Sequence, residues 1–63
     1  MAERHRFQLW QDGIMVAAVD CPNRYSALKE IAHYAGVYGQ DGPVKIKEVI
    51  NGRAVDVGEV RKP

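Results

Sequence analysis

Apolar and polar residues alternate along residues 4–11, Arg-His-Arg-Phe-Gln-Leu-Trp-Gln, and an apolar-rich run resumes over 14–19 after Asp12-Gly13. A period of two marks a strand with one face buried. Asp-Gly suits a two-residue turn whose central positions both need positive φ, so the two stretches predict a hairpin. A two-residue turn forces the pairing: Gln11 opposite Ile14, Trp10 opposite Met15, Leu9 opposite Val16, Phe7 opposite Ala18. One face then carries Phe7, Leu9, Ile14, Val16 and Ala18, and the other Arg6, Gln8, Trp10, Met15, Ala17 and Val19.

The period changes at residue 25. Leu28, Ile31, Ala32 and Ala35 recur at helical spacing, while Ser26, Lys29, Glu30 and His33 fall on the opposite side. A helix over 25–36 is expected. Asp20-Cys21-Pro22-Asn23 supplies its start, since Asn23 or Asp20 can cap free amide donors and Pro22 fits at or before the first turn. Gly36 is placed to end it in a left-handed conformation. Residues 37–43, with two glycines and a proline, read as a loop.

Alternation returns over 44–50, with Glu48 as a blemish on the buried face. Asn51-Gly52 is a strong hairpin signal, and residues 55–60 come back as the partner strand. Ile50 is expected opposite Arg53, Val49 opposite Ala54, Glu48 opposite Val55, Lys47 opposite Asp56 and Ile46 opposite Val57. Strand, strand, helix, strand, strand makes a single α+β domain over residues 1–63: a two-layer ββαββ unit with one helix on a four-stranded antiparallel sheet. Residues 1–3 and 61–63 are expected to fray. Either strand of the first hairpin could adjoin the second.

One helix covers one face of a sheet. Phe7, Leu9, Val16, Ala18, Ile46, Val55 and Val57 are expected beneath it. Trp10, Met15, Val19, Val49 and Ala54 are left on the other face, where they could form an interaction patch. Trp10 has three readings. It can wrap the core edge or pack under loop 37–43, it can meet a second copy across a two-fold axis, or it can act as a stacking ring for nucleic acid with Arg4, Arg6, Lys45 and Lys47 around it.

Composition bears on that choice. Nine basic and eight acidic residues leave a formal charge of +1, with no global attraction to nucleic acid or anionic lipid, so the nucleic-acid reading ranks last. Arg4, His5 and Arg6 near the start, and Arg61 and Lys62 near the end, are local exceptions. At 63 residues the core is small, and a partner subunit is the available reinforcement, because the single Cys21 excludes an internal disulfide. No run has signal-peptide or membrane-span character, so a cytoplasmic protein without membrane contact is expected.

Candidate chemistry is thin. Cys21 lies just before a helix, where a thiol can be activated, but without a second cysteine it is expected as a small hydrophobe. Glu30 and His33 are three apart and lack a third ligand, so neither a metal nor a cofactor is expected. His5 reads as a strand residue among arginines. Tyr25 fits the core side of the helix, and Tyr34 and Tyr38 its rim. Gly36, Gly39 and Gly42 follow a helix and do not precede one, so they imply no phosphate loop.

The run from Met15 to Tyr34, a strand ending in Val-Asp-Cys-Pro and then a helix with Ala-Leu-Lys-Glu-Ile, resembles the antitoxin partners of small toxin pairs. The resemblance covers about a third of the chain, stops before the second hairpin and carries over no functional residue. The expectation is a non-enzymatic interaction domain, self-associating through the face of Trp10 and Met15. The alternative is a nucleic-acid-binding or antitoxin-like regulatory module using Trp10 with the four basic residues.

Overall fold

A computed structural model describes residues 4–60. It contains β1 (His5–Gln11), β2 (Ile14–Cys21), α1 (Arg24–Tyr38), a 3₁₀ turn (Gly39–Asp41), β3 (Val44–Ile50) and β4 (Arg53–Val60). The ends expected to fray lie outside the described residues. The four strands form one antiparallel sheet in the order β2-β1-β3-β4, so β1 and β3 join the hairpins and β2 and β4 are the edges. The ββαββ expectation holds, and the strand order that the pattern left open is decided. No helix among the described residues is long and apolar enough to cross a membrane.

Both turns are of the expected kind. Asp12 and Gly13 have φ of 54° and 77°, and Asn51 and Gly52 have φ of 50° and 79°. Near each turn the pairing follows expectation, with Trp10 opposite Met15 and Val49 opposite Ala54. Farther along, each hairpin holds one extra residue. Leu9 faces Ala17 and Phe7 faces Val19, leaving Val16 as a bulge, and Ile46 faces Gly58, leaving Val57 as another. One inserted residue reverses every side chain beyond it. Ala18 therefore lies on the face away from the helix, and Val19 enters the core at 8% exposure.

The core is Phe7, Leu9, Val19, Ala27, Ile31, Ala35 and Val44, with Val16, Ala17, Leu28 and Ile46 packed around it. The helix meets the sheet along Ala27, Ile31 and Ala35, rotated by about 50° from the expected stripe, so Ala32 is exposed and Ala27 replaces it. Small alanines either side of Ile31 let the helix sit close. Tyr25, expected on the core side, is 70% exposed.

Asn23 caps the helix, its Oδ1 accepting from the amides of Tyr25 (2.8 Å) and Ser26 (3.3 Å). Gly36 does not end it. The helix runs to Tyr38, the left-handed break comes only at Gly42 (φ 150°), and Gln11 Nε2 donates to the carbonyls of Tyr38 (2.8 Å) and Gly42 (3.2 Å). The other end is tied to β3, where Arg24 reaches both carboxylate oxygens of Glu48 at 3.3 Å and lies 5.8 Å from the Phe7 ring centroid. Glu48 was a blemish in the strand pattern, and this pair accounts for it.

A helix is about 10 Å wide and strands are about 4.8 Å apart, so one helix covers about two strands. Here α1 lies on β1 and β2 and touches β3, and all eight residues of β4 are exposed.

Candidate functional site

The pairing arranges the uncovered face in three rows. Asp20, Arg6, Val49 and Ala54 form one, Ala18, Gln8, Lys47 and Asp56 the next, and Met15, Trp10, Lys45 and Glu59 the third. Adjacent rows are about 7 Å apart along the strands. The expected patch is thus spread over the rows: Trp10 and Met15 adjoin, Val49 and Ala54 adjoin, and Met15 and Val49 line one hollow across Gln8 and Ala18. Val19 is absent from this face altogether, because the Val16 bulge turned it inward.

Trp10 is half-buried by its polar neighbours. Its Nε1 donates to Gln8 Oε1 at 3.0 Å, and the Lys47 ammonium lies 5.1 Å from the ring centroid. It shares the face away from the helix with Lys45 and Lys47, while Gln11 meets the carbonyls of Tyr38 and Gly42 in loop 37–43. On its own face it shares a shallow hollow with Pro43, Lys45 and Glu59. Met15 is 48% exposed beside it.

The four basic candidates each meet an acid. Arg4 Nε lies 2.8 Å and Arg6 Nε 3.1 Å from the two carboxylate oxygens of Asp20, and Arg4 Nη2 also donates to the Asp20 carbonyl at 3.1 Å. The hydrogen bond from Arg4, with its charge and that of Arg6 added, holds the Asp20 carboxyl below its ordinary range. Lys47 Nζ is 3.9 Å from Asp56, and Lys45 faces Glu59. A phosphate backbone would have to displace these carboxylates.

Cys21 packs against the core and donates from Sγ to Glu30 Oε2 at 3.1 Å. That hydrogen bond, with desolvation and the carboxylate charge behind it, pushes the thiol pKa up from 9.0, the reverse of activation. Glu30 is thereby turned to β2, while His33 sits edge-on to Tyr34 at 5.6 Å. His5 faces Cys21 across β1 and β2. Among the described residues no three His, Cys, Asp or Glu side chains gather as a metal site.

Further apolar residues are exposed elsewhere. Ile50, Val55, Val57 and Val60 are 47%, 44%, 46% and 38% exposed on the helix side of the β3–β4 half of the sheet. Val55 and Val57 were expected beneath the helix, and it does not reach them. The width of one helix against four strands was the signal that could have shown this from the sequence. Comparison with protein-family models, with curated proteins and with solved structures finds no match to this chain.

Proposed function

We propose that this chain is a small non-enzymatic interaction domain whose first partner is a second copy of itself. What carries the reading is the division of its large apolar residues. Phe7, Leu9, Ile31 and Val44 are fully buried, while Ile14, Met15, Tyr25, Tyr34, Val37, Ile50, Val55, Val57 and Val60 are exposed. A small domain gains most from covering such surface with another subunit.

The charged groups support a docking role over a catalytic one. Asp20, Arg4 and Arg6 are engaged with one another, and the Cys21 thiol is held protonated by Glu30, so acid, base and nucleophile do not converge. A cytoplasmic setting belongs to the same proposal, since a lone free thiol suits a reducing compartment. Sedimentation equilibrium from micromolar to millimolar protein tests self-association: a dimer mass is expected, and a monomer throughout would sink the reading.

A nucleic-acid role is the second reading, favoured by the Lys47 ammonium over the Trp10 ring beside Lys45. It requires salt-sensitive quenching of Trp10 fluorescence by single strands, and unchanged fluorescence at low salt removes it.

A further inference from the structure

Asn51-Gly52 and Asp12-Gly13 close the two hairpins with nearly the same backbone, φ of 50° and 79° in one and of 54° and 77° in the other. Their first residues differ in chemistry. The asparagine side chain is an uncharged amide whose carbon the next backbone nitrogen can attack, whereas an ionised aspartate resists that attack.

The chain has two asparagines, and their surroundings are opposite. Asn23 Oδ1 accepts from the amides of Tyr25 and Ser26, which fixes its side chain at the start of α1, and the bulky Arg24 follows it. Asn51 is exposed, and among the described residues neither its side chain nor the Gly52 amide has a hydrogen-bond partner. A Cβ built at Gly52 meets nothing within 4 Å, so water has access to the turn. Glycine also gives the least hindrance to the rotation that brings its nitrogen onto the Asn51 side-chain carbon. The turn is the tip of a hairpin whose outer strand, β4, pairs with β3 alone.

We propose that Asn51-Gly52 is a site of spontaneous deamidation whose isoaspartyl product releases β4 from the sheet. The Gly52 nitrogen gives up its proton and bonds to Asn51 Cγ, the Cγ–Nδ2 bond breaks, and the side-chain nitrogen leaves with that proton as ammonia. Water then opens the cyclic imide. Addition at Cγ breaks the new Cγ–N bond and gives aspartate. Addition at the main-chain carbonyl carbon of residue 51 breaks its bond to nitrogen and gives isoaspartate, in which the chain runs through Cγ. Either product takes the formal charge of the chain from +1 to zero.

The turn accommodates the two products differently. Aspartate fits, since Asp12 already holds the equivalent position at nearly the same φ. Isoaspartate puts an extra carbon into the main chain of a turn whose length sets the register of the strands it joins. β4 has no second neighbour in the sheet and all eight of its residues are exposed, so its pairing with β3 is what gives way. Neither step depends on self-association.

The test is to hold the full chain at pH 8 in water enriched in oxygen-18 and to follow it by isoelectric focusing and peptide mass mapping. A more acidic species is expected, with heavy oxygen at residue 51. Asn51→Gly, which keeps the positive φ, should not form it. Heavy oxygen at Asn23 and not at Asn51, an acidic species from Asn51→Gly, or a folded chain that keeps the Asn51 amide where the urea-unfolded chain loses it overturns the site. The isoaspartyl and aspartyl forms are then separated chromatographically and compared by amide hydrogen exchange. The isoaspartyl form should lose protection at the β4 amides that pair with β3 and keep it in β1 and β2, while the aspartyl form and Asn51→Asp keep all of it. Full protection in the isoaspartyl form, or equal loss in Asn51→Asp, overturns the release of β4.

Discussion

The side chain of Gln11, the last residue of β1, closes the far end of α1 by donating to the carbonyl of Tyr38 at 2.8 Å. A second donation to Gly42 at 3.2 Å holds the loop that leads into β3. Gln11→Leu keeps the size and removes both donors, leaving two part-buried carbonyls without them. A loss of about 1–2 kcal/mol is expected in urea unfolding. An unchanged midpoint would show that water replaces the amide at no cost.

Gly36 lies within α1, without a positive φ, and a Cβ there meets nothing within 4 Å. Gly36→Ala should therefore stabilise the fold by about 0.5–1 kcal/mol, through a stiffer unfolded chain and better helix propensity. Thermal unfolding at fixed protein concentration measures it. The opposite sign would mean that the glycine is needed as a terminus after all.

Asp20 is held ionised by Arg4 first and then by Arg6, so its folded pKa lies below the ordinary 3.8. The sign follows from a depressed carboxyl: its stabilising contribution is present above the unfolded value and is lost as pH falls through the folded one. Asp20→Asn should be less stable than the unmodified chain near neutrality, and the gap should close as pH drops below 3.8. A gap constant from neutrality to pH 2 would show that the pairs contribute nothing to folding.

The Cys21 thiol donates to Glu30, and its pKa is raised above 9.0. The protonated form is the stabilised one, so this contribution is complete below the ordinary thiol pKa and disappears as pH rises through the raised value. Reaction with a disulfide reagent at pH 8 should be slow, and Glu30→Gln should speed it several-fold by lowering the pKa. Equal rates would show that access, and not protonation, limits the thiol.

The hairpins were legible because turn chemistry is local: Asp12-Gly13 and Asn51-Gly52 fix the pairs beside them. The faces beyond Val16 and Val57 were not, because a bulge is selected by how Val19 and Val44 fill space under a helix that no strand sequence contains. Helix existence was clear from its period. Its rotation was not, since Ala27 and Ala32 are chemically alike and the choice is made by Arg24 to Glu48 on one side and Glu30 to Cys21 on the other. The residues of the candidate patch part company for the same reason: Trp10 and Met15 precede the bulge and stay on the uncovered face, and Val19 follows it and is buried.

The bulge at Val16 also sets how this strand tolerates change. Ala17 and Val19 face the helix and Ala18 between them does not, so a lysine is admissible at the middle position and ruinous at its neighbours. Deleting Val16 would remove the bulge and leave the pairing as it is, with Leu9 still opposite Ala17 and Arg6 still opposite Asp20, at the loss of the packing that Val16 gives the core. The extra residue is thus slack in β2: the strand can lose one residue at the bulge and keep its faces, whereas an insertion farther along needs a second bulge to do so.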